Sequence, residues 1–337
     1  MSKRLFILLG LLLLLFSLAA CTNNKENDPA NKEEVQKAEN IEATNKEVEP
    51  LTTIVTDAFG EVEIPTNPER MLVTSPRYAE VLIELGIIPH MVLFTSGIEP
   101  EYRLQLLEKH GVEIIELAQF EQNFEKLVSL NPDFIVTSGI AMEASIYEKY
   151  TKIAPTYAAH SGYEMKDFID EFATLFHKED EAEAMLATYN QKVNTTKETL
   201  RQQIEGKTIL VLRVEPKDYR YLGYDSGGLS DLLYRQLGFD MPENLKAGER
   251  WFNSFSIEIL PESNPDFILL ERRAIEVENS DEHYNDLLAN ILWKNLGAVQ
   301  NNRVFSVETK EIIESQGPIG YSLLMDRLIE LISNEQE

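Results

Sequence analysis

The chain is predicted to fold as an α/β protein of two Rossmann-like lobes joined by one long α-helix, and three observations predict it. The first is an internal duplication. Asn123-Phe124-Glu125-Lys126-Leu127-Val128-Ser129-Leu130-Asn131-Pro132-Asp133-Phe134 in the first half corresponds to Ser256-Ile257-Glu258-Ile259-Leu260-Pro261-Glu262-Ser263-Asn264-Pro265-Asp266-Phe267 in the second. Each copy sets a Glu six residues before Asn-Pro-Asp-Phe. The second is a pair of apolar runs upstream of the copies, Met71-Leu72-Val73-Thr74 and Ile209-Leu210-Val211-Leu212, each reading as the first buried strand of a lobe. The third is the stretch from Glu179 to Ile204, which contains no Gly or Pro.

In chain order, residues 53–65 read as a β-hairpin turning at Phe59-Gly60 and leading into the first strand. A helix follows each opening strand and ends at Leu-Gly, at Leu85-Gly86 and Leu237-Gly238, where Gly supplies the C-cap. Each duplicated segment reads as a short helix stopped at Pro132 or Pro265, then a strand buried on both faces. Between the halves, apolar side chains at Ala182, Met185, Leu186, Tyr189, Val193, Leu200 and Ile204 recur at spacings of three and four, the mark of one amphipathic helix. At 1.5 Å per residue it is roughly 40 Å long, enough to reach from lobe to lobe. The resulting division is a first lobe over residues 51–178, a linking helix over 179–205 and a second lobe over 206–337, with each domain expected to bury its own core.

Ahead of the lobes, Lys3 and Arg4 precede an unbroken apolar run over residues 5–16, then Leu18-Ala19-Ala20-Cys21. This is a signal peptide over residues 1–20 with a small-residue cleavage site, too short to span a bilayer. It resembles a bacterial lipobox, which implies diacylglycerol on Cys21 and a mature chain that begins there; the alternative is a free thiol in an ordinary secreted protein. Cys21 is the only cysteine, so no intrachain disulfide or thiolate metal cluster can be built. Residues 21–50 are rich in Asn, Lys and Glu and read as a flexible tether, because they lack the apolar surface that offsets backbone ordering. The formal charge of −26 becomes −28 when the two cations Lys3 and Arg4 leave, a balance that favours solubility and opposes nucleic acid as a partner.

Motifs for an enzyme are missing. There is no Gly-x-Ser-x-Gly, no Gly-x-Gly-x-x-Gly after a strand and no phosphate loop, and Ser226-Gly227-Gly228 lacks the helix context such loops require. His90, His110, His160, His177 and His283 show no metal-ligand spacing, so direct metal binding is not expected.

The stretch from Thr53 through Gly60, with Asn67-Pro68-Glu69-Arg70, Ser75-Pro76-Arg77, Leu85-Gly86-Ile87-Ile88-Pro89, Leu127-Val128-Ser129-Leu130-Asn131-Pro132-Asp133, Ile153-Ala154-Pro155-Thr156 and Leu210-Val211-Leu212-Arg213-Val214, resembles the iron-siderophore, haem and cobalamin group of periplasmic-type binding proteins, the solute receptors of ABC importers. The likeness covers nearly all of residues 51–332. It implies two lobes around a rigid helix, one ligand between them and a small hinge motion. Lipid on Cys21 leads to the expectation of a monomer held at the outer face of the cell membrane, and the resemblance further implies an exposed Glu on each lobe that docks on an ABC permease dimer with its ATPase. The matching positions are Glu125 and Glu258; the alternative for each is a Glu that merely complements a helix dipole.

Ligands of open α/β sheets sit beyond the carboxyl ends of the strands, which points to Arg77, Arg213, Arg272 and Arg273. Guanidinium forks suit the anionic oxygens of a ferric siderophore; a surface ion pair is the alternative for each. Trp251 stands where hydroxamate-binding members of the group carry an aromatic wall, with Tyr221 and Tyr224 in a strand and turn facing the same region, while Trp293, flanked by Leu292 and Leu296, is expected in the core. The iron would arrive wrapped in its chelator, so no cofactor is expected. A citrate-hydroxamate, ferric citrate and a trihydroxamate all remain open, as do haem, with Tyr163 or His160 as axial ligand, cobalamin, and a surface lipoprotein without a transport role.

Overall fold

The computed structural model describes residues 51–118, 121–162, 164–272 and 280–333; the signal peptide, Cys21, the tether, Tyr163 and Arg273 lie outside the described residues. Thr52–Asp57 (β1) and Gly60–Pro65 (β2) pair antiparallel with Asp57 opposite Gly60, so the hairpin turns on Ala58 and Phe59, one residue ahead of the expected place. Asp57 explains the shift: its carboxylate accepts from the Phe59 backbone N–H at 2.8 Å and closes the turn locally.

Met71–Val73 (β3), Met91–Phe94 (β4), Glu113–Glu116 (β5), Phe134–Ser138 (β6) and Thr156–Ala159 (β7) form a parallel sheet in the order β5-β4-β3-β6-β7. Ile209–Val214 (β8), Tyr219–Leu222 (β9), Phe252–Phe255 (β10), Phe267–Arg272 (β11) and Val304–Glu308 (β12) form the second sheet, in the order β10-β9-β8-β11-β12. There β8, β11 and β12 run parallel, while β9 and β10 are antiparallel. Both apolar runs identified as opening strands are therefore central, each with its Asn-Pro-Asp-Phe strand beside it, and the chain is a two-lobed α/β protein. The helix Pro76–Glu84 follows β3 directly, whereas the π-helix Asp231–Leu237 comes after β8 only once β9 has intervened; Gly86 and Gly238 take the left-handed turns (φ 81° and 89°) that end them.

The duplication has a physical reason. Asn131 and Asn264 both adopt left-handed backbone (φ 47° and 31°) to end the helices Phe124–Leu130 and Leu260–Ser263. Two residues on, Asp133 accepts from the backbone N–H groups of Glu69 and Arg70 at 2.6 and 2.9 Å, just before β3. Asp266 does the same just before β8, accepting from the Thr208 N–H at 2.9 Å, its hydroxyl at 3.1 Å and Lys207 Nζ at 3.0 Å. These bonds hold the Asp266 carboxyl below the usual carboxylate range against the opposing effect of its partial burial. In each lobe one carboxylate thus ties the Asn-Pro-Asp strand to the start of the central strand.

The linking helix runs Glu179–Ile204, as its periodicity predicts, and buries Ala182, Tyr189, Val193, Thr196, Leu200 and Ile204. Met185 and Leu186 are only partly covered. Part of that cover comes from an element not anticipated as a bridge: the C-terminal helix Pro318–Ser333, which packs along the linking helix. Because both helices touch both lobes, the main core is continuous from β3 to β8 and not divided in two; a smaller cluster, around Leu72, Ile135 and Ile115, covers the far face of the first sheet. Trp293 lies in the main core, 3% exposed.

Candidate functional site

Arg77 stands just beyond the carboxyl end of β3. Pro76 opens the helix that follows, its fixed φ suiting a first helical turn, and Arg77 comes next. Its guanidinium lies 5.4 Å from the Tyr78 ring centroid and 5.2 Å from that of Phe168, and its Nη1 donates to Gln316 Oε1 across the lobe boundary. Arg77 Nε is buried and has no hydrogen-bond partner among the described residues.

A second arginine at this boundary is buried outright. Arg103, on the helix Glu101–Lys109, is 1% exposed and uses every donor it has. Nε donates to Glu80 at 2.9 Å; Nη1 donates to Glu99 and to the Glu314 carbonyl, both at 2.7 Å; Nη2 donates to Tyr102 Oη at 3.0 Å and to the Gln316 carbonyl at 3.2 Å. Glu80, with no exposure, also accepts from the Ile319 N–H at 3.1 Å. Gly317 fits this network because its φ of 156° suits glycine and a Cβ there would fall 2.4 Å from Glu80 Oε1. First-lobe charges thereby fasten the strap, residues 313–317, that leads from the second sheet to the C-terminal helix.

Between the lobes lies a cavity of about 190 Å³, lined by Ser75, Arg77, Glu99 and Arg103 on one side and by Trp251, Glu314 and Gln316 on the other. Burial raises both carboxyls facing it. Glu314 is pushed up to about 7, with Glu99 adding to the rise and Arg103, Arg77 and Arg213 opposing it. Glu99 is raised by burial and drawn back by Arg103. Larger hollows, of about 520 and 620 Å³, lie along the linking helix, away from the strand ends and without converging guanidinium groups. The chemistry favours the smaller cavity.

The arginine at the end of β8 has a different setting. Arg213 is 5% exposed and directly opposite Glu271 on β11; its Nε and Nη2 donate to the two Glu271 oxygens at 2.6 and 2.9 Å. Thr309 Oγ1 donates to Glu271 Oε1 at 2.7 Å. The Arg213 guanidinium lies 3.7 Å from the Phe252 ring centroid and 5.8 Å from that of Trp251, so it supports the wall that Trp251 presents. Arg272 ends β11, where it pairs with Val214 and Glu308. Tyr221 is buried on β9 against Phe255, and Tyr224 packs against Tyr234 with Lys246 Nζ 5.7 Å from its ring centre; neither lines the cavity. His160 lies beside Glu171 at 3.0 Å, near the β1–β2 hairpin.

Glu125 and Glu258 are exposed and equivalently placed. Each is the second residue after a capping side chain: Asn123 accepts from the Lys126 N–H, and Ser256 from the Glu258 N–H. Neither carboxylate makes an ion pair among the described residues.

Glu80, Glu99, Arg103, Glu314 and Gln316 were not read from the sequence. The available signal was local: Glu80 sits among buried Tyr78, Ala79, Val81, Leu82 and Ile83, and Arg103 lies one turn before buried Leu107. A charge on an apolar helix face implies a buried partner.

Among curated proteins, the chain is similar to the iron(3+)-hydroxamate-binding protein FhuD of Bacillus subtilis, 29% identical over 306 residues that cover 88% of each chain. It is 27% identical to the probable siderophore-binding lipoprotein YfiY of the same organism, with 91% of each chain covered. Among solved structures, Staphylococcus aureus SirA complexed with staphyloferrin B superposes with a TM-score of 0.71 at 24% identity, over 84% of this chain and 99% of that one, a likeness of fold. Both curated relatives are named as binding proteins, and this chain is a binding protein and not an enzyme. With the periplasmic binding protein model matching residues 72–310 and the two-lobed cleft in place, the chain belongs to the periplasmic binding protein family.

Proposed function

We propose that this chain is the lipid-anchored receptor of an ABC importer, which holds a ferric siderophore between its lobes and presents it to a membrane permease dimer with its ATPase. The observation that carries the reading is Arg77 facing Trp251 across the cleft, a cation at a strand end opposite an aromatic wall. The guanidinium supplies charge-assisted hydrogen bonds to the anionic oxygens around ferric iron, and the indole covers the apolar flank of the chelator. Arg213 acts beneath, with Glu271 fixing its fork and its own guanidinium supporting Trp251. The kinship with receptors named for hydroxamate and siderophore binding supports the ligand class.

At about 190 Å³ the cleft is smaller than the roughly 300–1,000 Å³ usual for ligand pockets, so admission of a chelate requires the lobes to part. The linking and C-terminal helices oppose a wide opening, which favours a small hinge motion. Glu125 and Glu258, one per lobe and unpaired among the described residues, suit two basic pockets on a pseudo-symmetric permease. Cys21, with residues 22–50 as tether, keeps the receptor at the outer face of the cell membrane within reach of that permease. A cell with a single membrane gains most from such an anchor.

Calorimetric titration of the purified chain with ferric citrate, a citrate-hydroxamate and a trihydroxamate tests the reading, with haem and cobalamin as the competing ligands. Saturable binding of at least one ferric siderophore, weakened tenfold or more by Arg77→Ala in a chain that still folds, is expected. Binding of haem or cobalamin alone would move the chain to another ligand class.

A further inference from the structure

Buried Arg103 and Arg213 differ from Arg77 in what neutralises them. Arg103 meets Glu80 and Glu99 and has all its donors engaged, and Arg213 is held by both oxygens of Glu271. Arg77, partly buried between Tyr78 and Phe168, makes no ion pair among the described residues. Its one hydrogen bond there goes to the side-chain amide of Gln316, and its Nε is buried without a partner. Glu99 and Glu314 face the same cleft and interact with Arg77 through space, but neither forms an ion pair with it among the described residues, so its fork is left for an anion that can reach it.

Gln316 is held in a way that leaves little choice about where its side chain begins. Its carbonyl accepts from Arg103, the residue after it is the glycine confined against Glu80, and the Ile319 N–H is bound by the same Glu80. The strap backbone is thus pinned by buried charges. The amide it projects is 4% exposed and lines the cleft. Being neutral, the amide orients Arg77 without cancelling its charge; a carboxylate on the same stem would cancel it.

We propose that Gln316 is a specificity-determining residue of the cleft: its amide holds the place of a ligand oxygen on Arg77 and exchanges with an anionic oxygen of the chelate on binding. The inference rests on the ferric-siderophore reading and adds to it a selection for chelates that carry negative charge. It gives the strap a role in recognition as well as in joining the second sheet to the C-terminal helix.

The test compares wild type, Gln316→Glu and Gln316→Ala, each first shown to be folded by circular dichroism and thermal melting, for binding of anionic ferric citrate and of a neutral ferric trihydroxamate. Gln316→Glu supplies Arg77 with a permanent carboxylate, so the anionic chelate should bind at least tenfold more weakly while the neutral one changes less than threefold. Gln316→Ala removes the placeholder and keeps the cation, so the anionic chelate should bind at least threefold more tightly than to wild type. Should Gln316→Glu fail to fold, the alanine variant decides alone: unchanged affinity there would show that the amide does not compete with the ligand, a loss that it is itself a ligand contact, and either would overturn the proposal. An unchanged affinity of Gln316→Glu for the anionic chelate would also overturn it. Failure of wild type to bind any ferric chelate is a different result, which removes the ferric-siderophore reading itself.

Discussion

Replacing Arg103 with Met isolates the contribution of the network that joins the strap to the first lobe. The substitution preserves an unbranched stem of similar reach and removes all five donors. It leaves Glu80, with no exposure, and Glu99 without their cation, and the Glu314 and Gln316 carbonyls without donors. Breaking a buried pair from one side costs about 3–5 kcal/mol, because the remaining charge stays desolvated and unpaired. Against a typical total of about 5–15 kcal/mol, this is a large share. The assay is urea unfolding followed by far-ultraviolet circular dichroism and tryptophan fluorescence together, with the loss read from the midpoint at unchanged slope. Glu80→Gln in the same chain removes the stranded carboxylate, so the double variant should lose less than the sum of the two single ones, by about 1–3 kcal/mol. A loss below about 1 kcal/mol for Arg103→Met, or strict additivity with Glu80→Gln, would refute the view that this cluster fastens the strap.

Three further outcomes follow from the same structure. Glu314, whose carboxyl is raised from 4.5 to about 7, is the more stabilising when protonated; that stability is present below about pH 4.5 and lost as pH rises through 7, by about 3 kcal/mol at most. Unfolding curves at pH 5 and pH 8 should therefore show a smaller pH-dependent loss for Glu314→Gln than for wild type, and equal losses would contradict the assignment. Asp133→Ala and Asp266→Ala each strand two or more donors at the start of a central strand and should each cost about 1–3 kcal/mol in urea unfolding. A cost confined to one lobe would show that the duplicated carboxylates are not equivalent. Replacing Glu125 and Glu258 together with Ala should leave ferric-chelate affinity within twofold of wild type and depress uptake of radiolabelled iron into cells; full uptake would remove both from the docking surface.

How much of this was legible in the sequence depended on whether the signal was local. The linking helix was, because its buried face repeats at three and four residues from Ala182 to Ile204. So was the duplication, since the Asn that ends each helix and the Asp that ties each strand stand at fixed offsets. The cleft was legible in part. Arg77 was reached from its strand-end position, but Arg213 has the same position in sequence and a different partner, because Glu271 lies 58 residues away and meets it through strand register alone. Register between β8 and β11 leaves no trace in a single sequence. The strap was missed for a related reason: Ser315, Gln316 and Gly317 read as an ordinary loop, and only the arrival of Arg103, more than 200 residues earlier, makes them a wall of the site.

The central claim is that a ferric siderophore binds between the lobes, against Arg77 and Trp251. In a Trp293→Phe background Trp251 is the sole tryptophan, and its emission reports the cleft directly. Titration with ferric siderophores should quench it saturably, and Arg77→Ala in the same background should shift the curve to at least tenfold higher ligand. Emission that stays constant while calorimetry records binding would place the ligand elsewhere and contradict the account.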